Sequence, residues 1–368
     1  MKAGKTLHEL ELELVRQNNA KQDFLLDTRD LVMDADEHGA TLSMNNRRTG
    51  EVTLLGINDI AHSQIGNELG IPKAYYEKMR EQNPALLAEN VNAWFYNEPK
   101  VRMIRTMTSD NSDTRYARAF LSDRYLRIDN ADIFETVYPI LEGIEGISFE
   151  SQEITDQRMY IKVVNKRITK EVKPEDYVQS GLLITNSEVG MGTVTIQPLL
   201  YRLVCTNGMV VNDFKSAATR RRHVGRRNII GDDFVLYADD TLKADNRALM
   251  LKIRDTIQHS LDEIHFTNLI DMMHQASEQM ITTEHIPEMV QLAASDFGYT
   301  KKEGEGILNH LIREGDLSLY GFSNAVTRYA QDVGSYDRST ELEAIGYNIL
   351  TMPARKWQTL QAVEASVA

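Results

Sequence analysis

Val101-Arg102-Met103-Ile104-Arg105 and Arg115-Tyr116-Ala117-Arg118-Ala119-Phe120-Leu121, joined through Asn111-Ser112-Asp113, form the stretch whose reading decides the fold. Both runs alternate with a period of two, so successive side chains point to opposite faces of a strand. The Asn-Ser-Asp turn between them predicts a β-hairpin. Strand patterns continue downstream at Ile147 to Phe149, Arg158 to Val163, Gly181 to Ile184 and Gly192 to Ile196. Leu200 to Cys205 fits a strand or a helix, and Asn207-Gly208 marks a turn after it. Upstream, Phe24 to Leu55 is short and strand-like, with turn residues from Asp34 to Gly39 and at Thr49-Gly50.

Three helices separate that region from the hairpin. Asn58-Asp59 caps the first, which carries Ile60, Ala61, Ile65 and Leu69 on one face. Leu69-Gly70-Ile71-Pro72 ends it, the chain restarts at Lys73 to Arg80, and a third helix is expected at Ala85 to Tyr96. Residues 1–22 read as a helix or a frayed arm, and Asn130 or Asp132 starts a helix running through Leu141. Beyond Asp232 the period becomes helical, at Leu242 to Phe266, Asn268 to Gln279, Pro287 to Phe297, Gly304 to Arg313, Ser323 to Val333 and Glu341 to Leu350. The fold class is therefore α+β, with a mixed body at 1–231 and a mostly helical region at 232–368. Within the body lie a helical insert at 58–96, a strand-rich part at 100–211 and a basic loop at 215–227.

Composition narrows the function classes. Hydrophobic residues make up 42% of the 368 and charged residues 26%, enough for a substantial core. The single cysteine, Cys205, excludes an intrachain disulfide and fits a reducing, cytoplasmic compartment. Acidic residues interrupt the N-terminal stretch too early for a signal peptide, and no run approaches the ~18 apolar residues of a membrane span. No P-loop, dinucleotide fingerprint, nucleophile elbow or zinc-ligand spacing is present, so no cofactor and no catalytic residue is assigned.

The strongest local signal is Lys215 to Arg227, KSAATRRRHVGRR. It holds Lys215, Arg220, Arg221, Arg222, Arg226 and Arg227, with His223 and no acid, in a chain of net charge −13. Adjacent cations repel one another, and a polyanion or acidic neighbours relieve that repulsion. Arginine suits phosphate because its planar fork donates two hydrogen bonds at once. The competing account is a solvated loop balanced by Asp232, Asp233, Asp239 and Asp240. A second basic stretch joins it on the hairpin, with Arg102, Arg105, Arg115, Arg118 and Arg124 as candidate contacts. Tyr116, Phe120 and Tyr125 interleave there as stacking surfaces for unpaired bases, although such residues in strands more often pack in a core. The two stretches together suggest one basic groove, with single-stranded DNA the favoured partner and a homo-oligomer extending the track.

Other features carry less. Glu188 and His223 form a conceivable acid–base pair, but they lie far apart in sequence. Cys205 sits in an apolar run and reads as a packed, unreactive side chain. The Ile57–Arg80 helices have the turn of a helix-turn-helix, yet Tyr75, Tyr76 and Glu77 make no basic reading face.

Four short segments resemble a known family. Ala117 to Tyr125 is similar to the "R-A-x-L-S-x-x-Y" segment of the phage- and plasmid-encoded domain-of-unknown-function family 932. Asn186 to Gly190 resembles its "N-S-x-x-G" turn, Leu203 to Gly208 its "V-C-x-N" segment, and Asn324 to Arg328 its C-terminal helix. The matches come in order across about Leu55 to Leu350. The resemblance implies a mobile-element origin and, by association with phage recombination genes, a role in annealing or otherwise handling single strands. Two other readings stand beside it: an acidic protein-binding factor that blocks a host defence, and an enzyme on nucleic acid or nucleotides using Glu188, His223 and nearby Asp residues.

Overall fold

The computed structural model describes residues 1–36, 39–46, 49–110, 113–125, 127–212, 239–261 and 263–363. Helix α1 (Leu7–Ala20) starts at a capping box in which Thr6 and Glu9 satisfy each other's free backbone donors. It leads into β1 (Lys21–Asp27), and a 3-10 turn at Thr28–Asp30 connects to β2 (Leu31–Asp36). β2, β3 (Gly39–Asn45) and β4 (Val52–Ile57) form an antiparallel meander. Asn58 caps α2 (Asp59–Glu68), as its short polar side chain predicts, by accepting from the Ala61 amide. α3 (Lys73–Gln82) and α4 (Pro84–Asn97) follow, then the expected hairpin, β5 (Val101–Thr108) and β6 (Arg115–Ser122).

These strands make one six-stranded sheet, ordered β1-β5-β6-β4-β3-β2. Only β4 and β6 run parallel, because the helices between them return the chain to its starting side. One face is covered by α2–α4, where Met33, Leu42, Leu55 and Ile104 pack with Ile65, Leu87, Val91 and Phe95. Gly66 lies so close to the Tyr76 ring that a Cβ would meet it at 2.9 Å, so α2 and α3 are packed on each other. Edge strand β2 is closed by a side chain: Asn92 accepts from the Met33 amide at 2.7 Å and donates to its carbonyl at 2.8 Å. That arrangement blocks an edge otherwise open to another strand.

The second sheet begins after α5 (Asn130–Glu142). Strands β7 (Ile147–Ile154), β8 (Met159–Lys173), β9 (Asp176–Asn186), β10 (Thr195–Arg202) and β11 (Asn207–Val210) pair antiparallel in the order β11-β10-β9-β8-β7. Both faces are buried. Met159, Ile161 and Val163 pack with α1, α5 and α6 (Asp239–Ser260), while Tyr160, two-residue alternation placing it opposite, packs with Tyr336. Helices α7 (Glu263–Glu278), α8 (Ile286–Phe297), α9 (Lys301–Glu314), α10 (Leu319–Tyr329), α11 (Tyr336–Leu350) and α12 (Ala354–Gln361) complete the chain. Their core includes Val172, Val178, Leu200, Met209 and Val211 from the sheet, together with Phe266, Ile307, Phe322 and Trp357.

The mixed α+β class and the helical C-terminal region are as the sequence predicts. Several details differ. The helix expected to run to Phe266 breaks between Ser260 and Glu263, and α12 has no counterpart in the sequence reading. The apolar run at Leu200 to Cys205 ends its strand at Arg202; Leu203 and Val204 are exposed in a turn where Thr206 takes a φ of 51°. The composition shift near Asp232 lies outside the described residues. Among the described residues, no helix is long and apolar enough to cross a membrane.

Candidate functional site

The hairpin faces the turn between β9 and β10, and charged groups fill the contact. Arg105 on β5 donates from three nitrogens in three directions. Nε reaches Asp23 at 2.9 Å, Nη2 reaches Asp129 at 2.7 Å, and Nη1 reaches the Glu188 carbonyl at 2.9 Å. Its side chain is 1% exposed. Neighbouring Arg118 on β6 pairs with Glu188 Oε2 at 3.0 Å, and Glu188 Oε1 accepts from the Asn130 amide at 2.6 Å. That amide opens α5, so the carboxylate also sits at the favourable end of a helix dipole. Lys21 completes the network at 2.7 Å from Asp129.

Burial alone would push the Asp129 carboxyl upward; Arg105 and Lys21 outweigh it and hold the group below its ordinary value. Met103, Ala119, Leu121, Tyr125 and Val189 surround the charges with apolar surface. Asn186 and Ser187 tie the same turn to Ile128 and Gln157 by hydrogen bonds of 3.0 and 2.7 Å. The whole is an ionic joint between two sheets.

This corrects the reading of Arg105 and Arg118 as nucleic-acid contacts. Both are buried; Arg105 is committed to Asp23, Asp129 and the Glu188 carbonyl, and Arg118 Nη1 to the Glu188 carboxylate. Alternation alone sets Arg118 on the face of Arg102, opposite Arg105; the register shift at Arg105/Thr106 turns Arg118 to the side of Arg105, and the turn after β9 covers that side. Arg102 pairs with Glu68 and lines a cavity beside Trp94. Arg115 is half-buried and donates to the Thr106 hydroxyl at 3.0 Å, and Arg124 is exposed; neither has an ion pair among the described residues. Tyr125 and Phe120 are core side chains and offer no stacking face. Lys215, Arg220, Arg221, Arg222, His223, Arg226 and Arg227 lie outside the described residues, as does the proposed proximity of that cluster to the hairpin. Glu188 is no free base, since both its oxygens are engaged. Asp23 and Asp129 were not singled out from the sequence. Two isolated acids give no local signal, and only the buried arginine between them assigns their role.

A second polar centre lies on the opposite face of the second sheet. Lys162 Nζ on β8 meets Glu343 Oε2 on α11 at 2.6 Å, with side chains 0% and 1% exposed. The ammonium stands 4.8 Å over the Tyr336 ring, and Tyr336 shares a hydrogen bond of 2.7 Å with Ser151. Nearby, the start of β11 and the turn before it are stapled to α10 and the residues just after it: Asn207 donates to Thr327, and Gln331 donates to the Cys205 carbonyl at 3.2 Å. The segments singled out for their family resemblance thus meet in two places. Arg118 and the Asn186–Gly190 turn form the first joint; the Cys205–Asn207 turn and α10 form the second.

Cys205 itself departs from the expected core position, being half-buried in that turn between Arg202 and Glu314. Burial pushes its thiol above the ordinary value; Arg202 opposes this and Glu314 adds to it. The thiol is therefore the dominant form near neutral pH, and a thiol reagent should label the native protein several-fold more slowly than the unfolded chain. Equal rates would show an activated thiolate. No group of three or more His, Cys, Asp or Glu among the described residues is arranged to hold a metal.

A mixed α+β scaffold with two sheets, joined by buried ion pairs, is the class of protein these features define. The chain belongs to the family described as Domain of unknown function (DUF932), whose model matches residues 118–363, about two-thirds of the chain. The match starts within β6, so β1–β5 and α1–α4 precede it. No curated protein and no solved structure matches the chain.

Proposed function

We propose that this protein binds nucleic acid, single-stranded DNA in particular, through the basic segment Lys215 to Arg227. The observation that carries the reading is compositional: six cations and no acid within 13 residues of a chain whose net charge is −13. Long-range repulsion would keep a polyanion off most of such a surface, so a local cluster governs where contact occurs. In sequence the segment lies between β11, a strand of the second sheet, and α6. Arg115 and Arg124 remain as auxiliary contacts. A role in annealing or in protecting strands during recombination or replication fits a binder of this kind, and copies of the chain side by side would extend a short contact into a track. The enzymatic alternative is weaker, because the carboxylate it needs, Glu188, is committed to Arg118 and the Asn130 amide.

Changing Arg220, Arg221 and Arg222 together to Ala tests this. Binding should weaken without unfolding, and the log–log salt slope should flatten by about 2 units, at roughly 0.7 per lost contact on single strands. Sequence preference should barely change, since phosphate contacts position a strand without reading it. A folded triple variant with unchanged affinity and slope would sink the reading.

A further inference from the structure

Among the described residues few aromatic side chains are strongly exposed, and those few are concentrated. Of four strongly exposed ones among the described residues, Tyr75, Trp94 and Tyr96 belong to α3 and α4; the other is Tyr177. Trp94 is 42% exposed and borders a cavity of about 140 Å³ between the ends of α2 and α4 and the start of β5. Leu69, Glu68, Glu98, Lys100 and Arg102 line it with Trp94. A pocket enclosing a drug-sized ligand takes about 300–1,000 Å³, so this one suits a single planar group at its mouth.

The cations beside the indole are pre-arranged. Glu68 holds both on one oxygen, Lys100 at 2.9 Å and Arg102 on the same atom, which fixes them side by side. It takes one N–H from each. The Lys100 side chain is 48% exposed, so its remaining ammonium donors are open to a second anion, and the Arg102 guanidinium, 12% exposed, adds its charge beside it. An indole and two cations lining one cavity match the two halves of a nucleotide. Stacking on an aromatic is open to any base because every base has a π-face, and a guanidinium beside an ammonium suits phosphate.

We propose that this cavity is a subsite for one unpaired nucleotide of a single strand, its base stacked on Trp94 and its phosphate held by Lys100 and Arg102. The proposal rests on the reading of the protein as a nucleic-acid binder, and deepens it by assigning a single-strand contact remote in sequence from the arginine segment. A duplex keeps its base faces inside the stack and cannot use the site along its length.

The test is the intrinsic fluorescence of the full chain, whose only tryptophans are Trp94 and Trp357, the latter 7% exposed. Titration with oligodeoxycytidylate of about 16 nucleotides, the upper site size of one binding module, should quench the emission to a saturating limit. Duplex DNA of equal length and inorganic phosphate should not. Trp94→Phe should abolish the quenching yet bind the strand within a few-fold, because a phenyl ring still stacks. Trp94→Ala should bind roughly 5- to 150-fold more weakly by anisotropy, the loss of one base–aromatic stack. At 42% exposure this truncation should leave thermal unfolding little changed, which a melt would verify.

If the strand binds wild type without quenching and Trp94→Ala binds equally well, the subsite is refuted while the arginine segment stands. If the Arg220/Arg221/Arg222 variant binds normally and Trp94→Ala does not, the subsite stands and the arginine reading is refuted. Absence of any strand binding overturns both.

Discussion

Replacing Arg105 by Met is expected to destabilise the protein by about 3–5 kcal/mol, the cost of leaving buried charge without its partner. Arg105 is 1% exposed and is the donor on which Asp23, Asp129 and the Glu188 carbonyl converge. Lys21 and Arg127 still reach Asp129 and Asp23, at 2.7 and 3.6 Å, which places the expectation short of two wholly isolated carboxylates. Arg105→Lys should recover little of the loss, because one ammonium cannot donate in three directions set by a planar fork.

The deficit should depend on pH, and its direction follows from Asp129. In the wild type the Asp129 carboxyl titrates below its ordinary value of about 4, so its stabilising contribution is present above that value and lost as pH falls through the lower folded value. Without Arg105, burial dominates and raises the group, so the variant's penalty grows as pH rises and shrinks in acid. Urea unfolding of both proteins across pH 3 to 7, roughly the carboxylate range and above, checks this. A gap that stays constant or widens towards acid would contradict the assignment of Arg105 as the charge partner of Asp129.

The second large effect is expected at Lys162. Lys162→Met alone removes the cation that faces Glu343 at 2.6 Å in a site almost closed to solvent, and should cost a comparable ~3–5 kcal/mol. Glu343 Oε1 has no hydrogen-bond partner among the described residues, and the Met1 ammonium attracts the carboxylate without bonding to it. Removing both charges should behave differently. Lys162→Met with Glu343→Leu places apolar groups against Tyr336 and the surrounding core, and such replacements are often neutral or stabilising by about 1–4 kcal/mol relative to the ion pair. The double variant should therefore unfold at a denaturant concentration near or above the wild type, and well above the single variant, with an unchanged m-value. If Lys162→Met and the double variant are equally impaired, the pair contributes through packing and not through charge compensation.

Local sequence determined much of the architecture. Two-residue alternation at Val101–Arg105 and Arg115–Leu121 became the β5–β6 hairpin, and Asn58 capped α2 where its side chain can replace a missing helical acceptor. Helices α8 to α11 follow their apolar periodicity, with Pro287 at the opening of α8, where its missing donor costs nothing. The family segments, too, could be recognised in order along the chain. Their meeting in two joints could not, nor could the pairing of β1 with β5, two strands about 80 residues apart.

Arg105 and Arg118 show where the limit falls. Alternation fixed the face of β5 on which Arg105 stands, a register shift opposite it brought Arg118 to the same side, and nothing in the local pattern distinguishes a face turned to water from one turned to another sheet. Covering that face costs a charge its hydration, so each guanidinium needs an acid within hydrogen-bond reach. The acids that serve, Asp23, Asp129 and Glu188, come from 82, 24 and 70 residues away. The chain's own sequence supplied these charges; only the tertiary fold, by bringing three distant segments to one dry joint, decided that they would hold the protein together instead of facing a ligand.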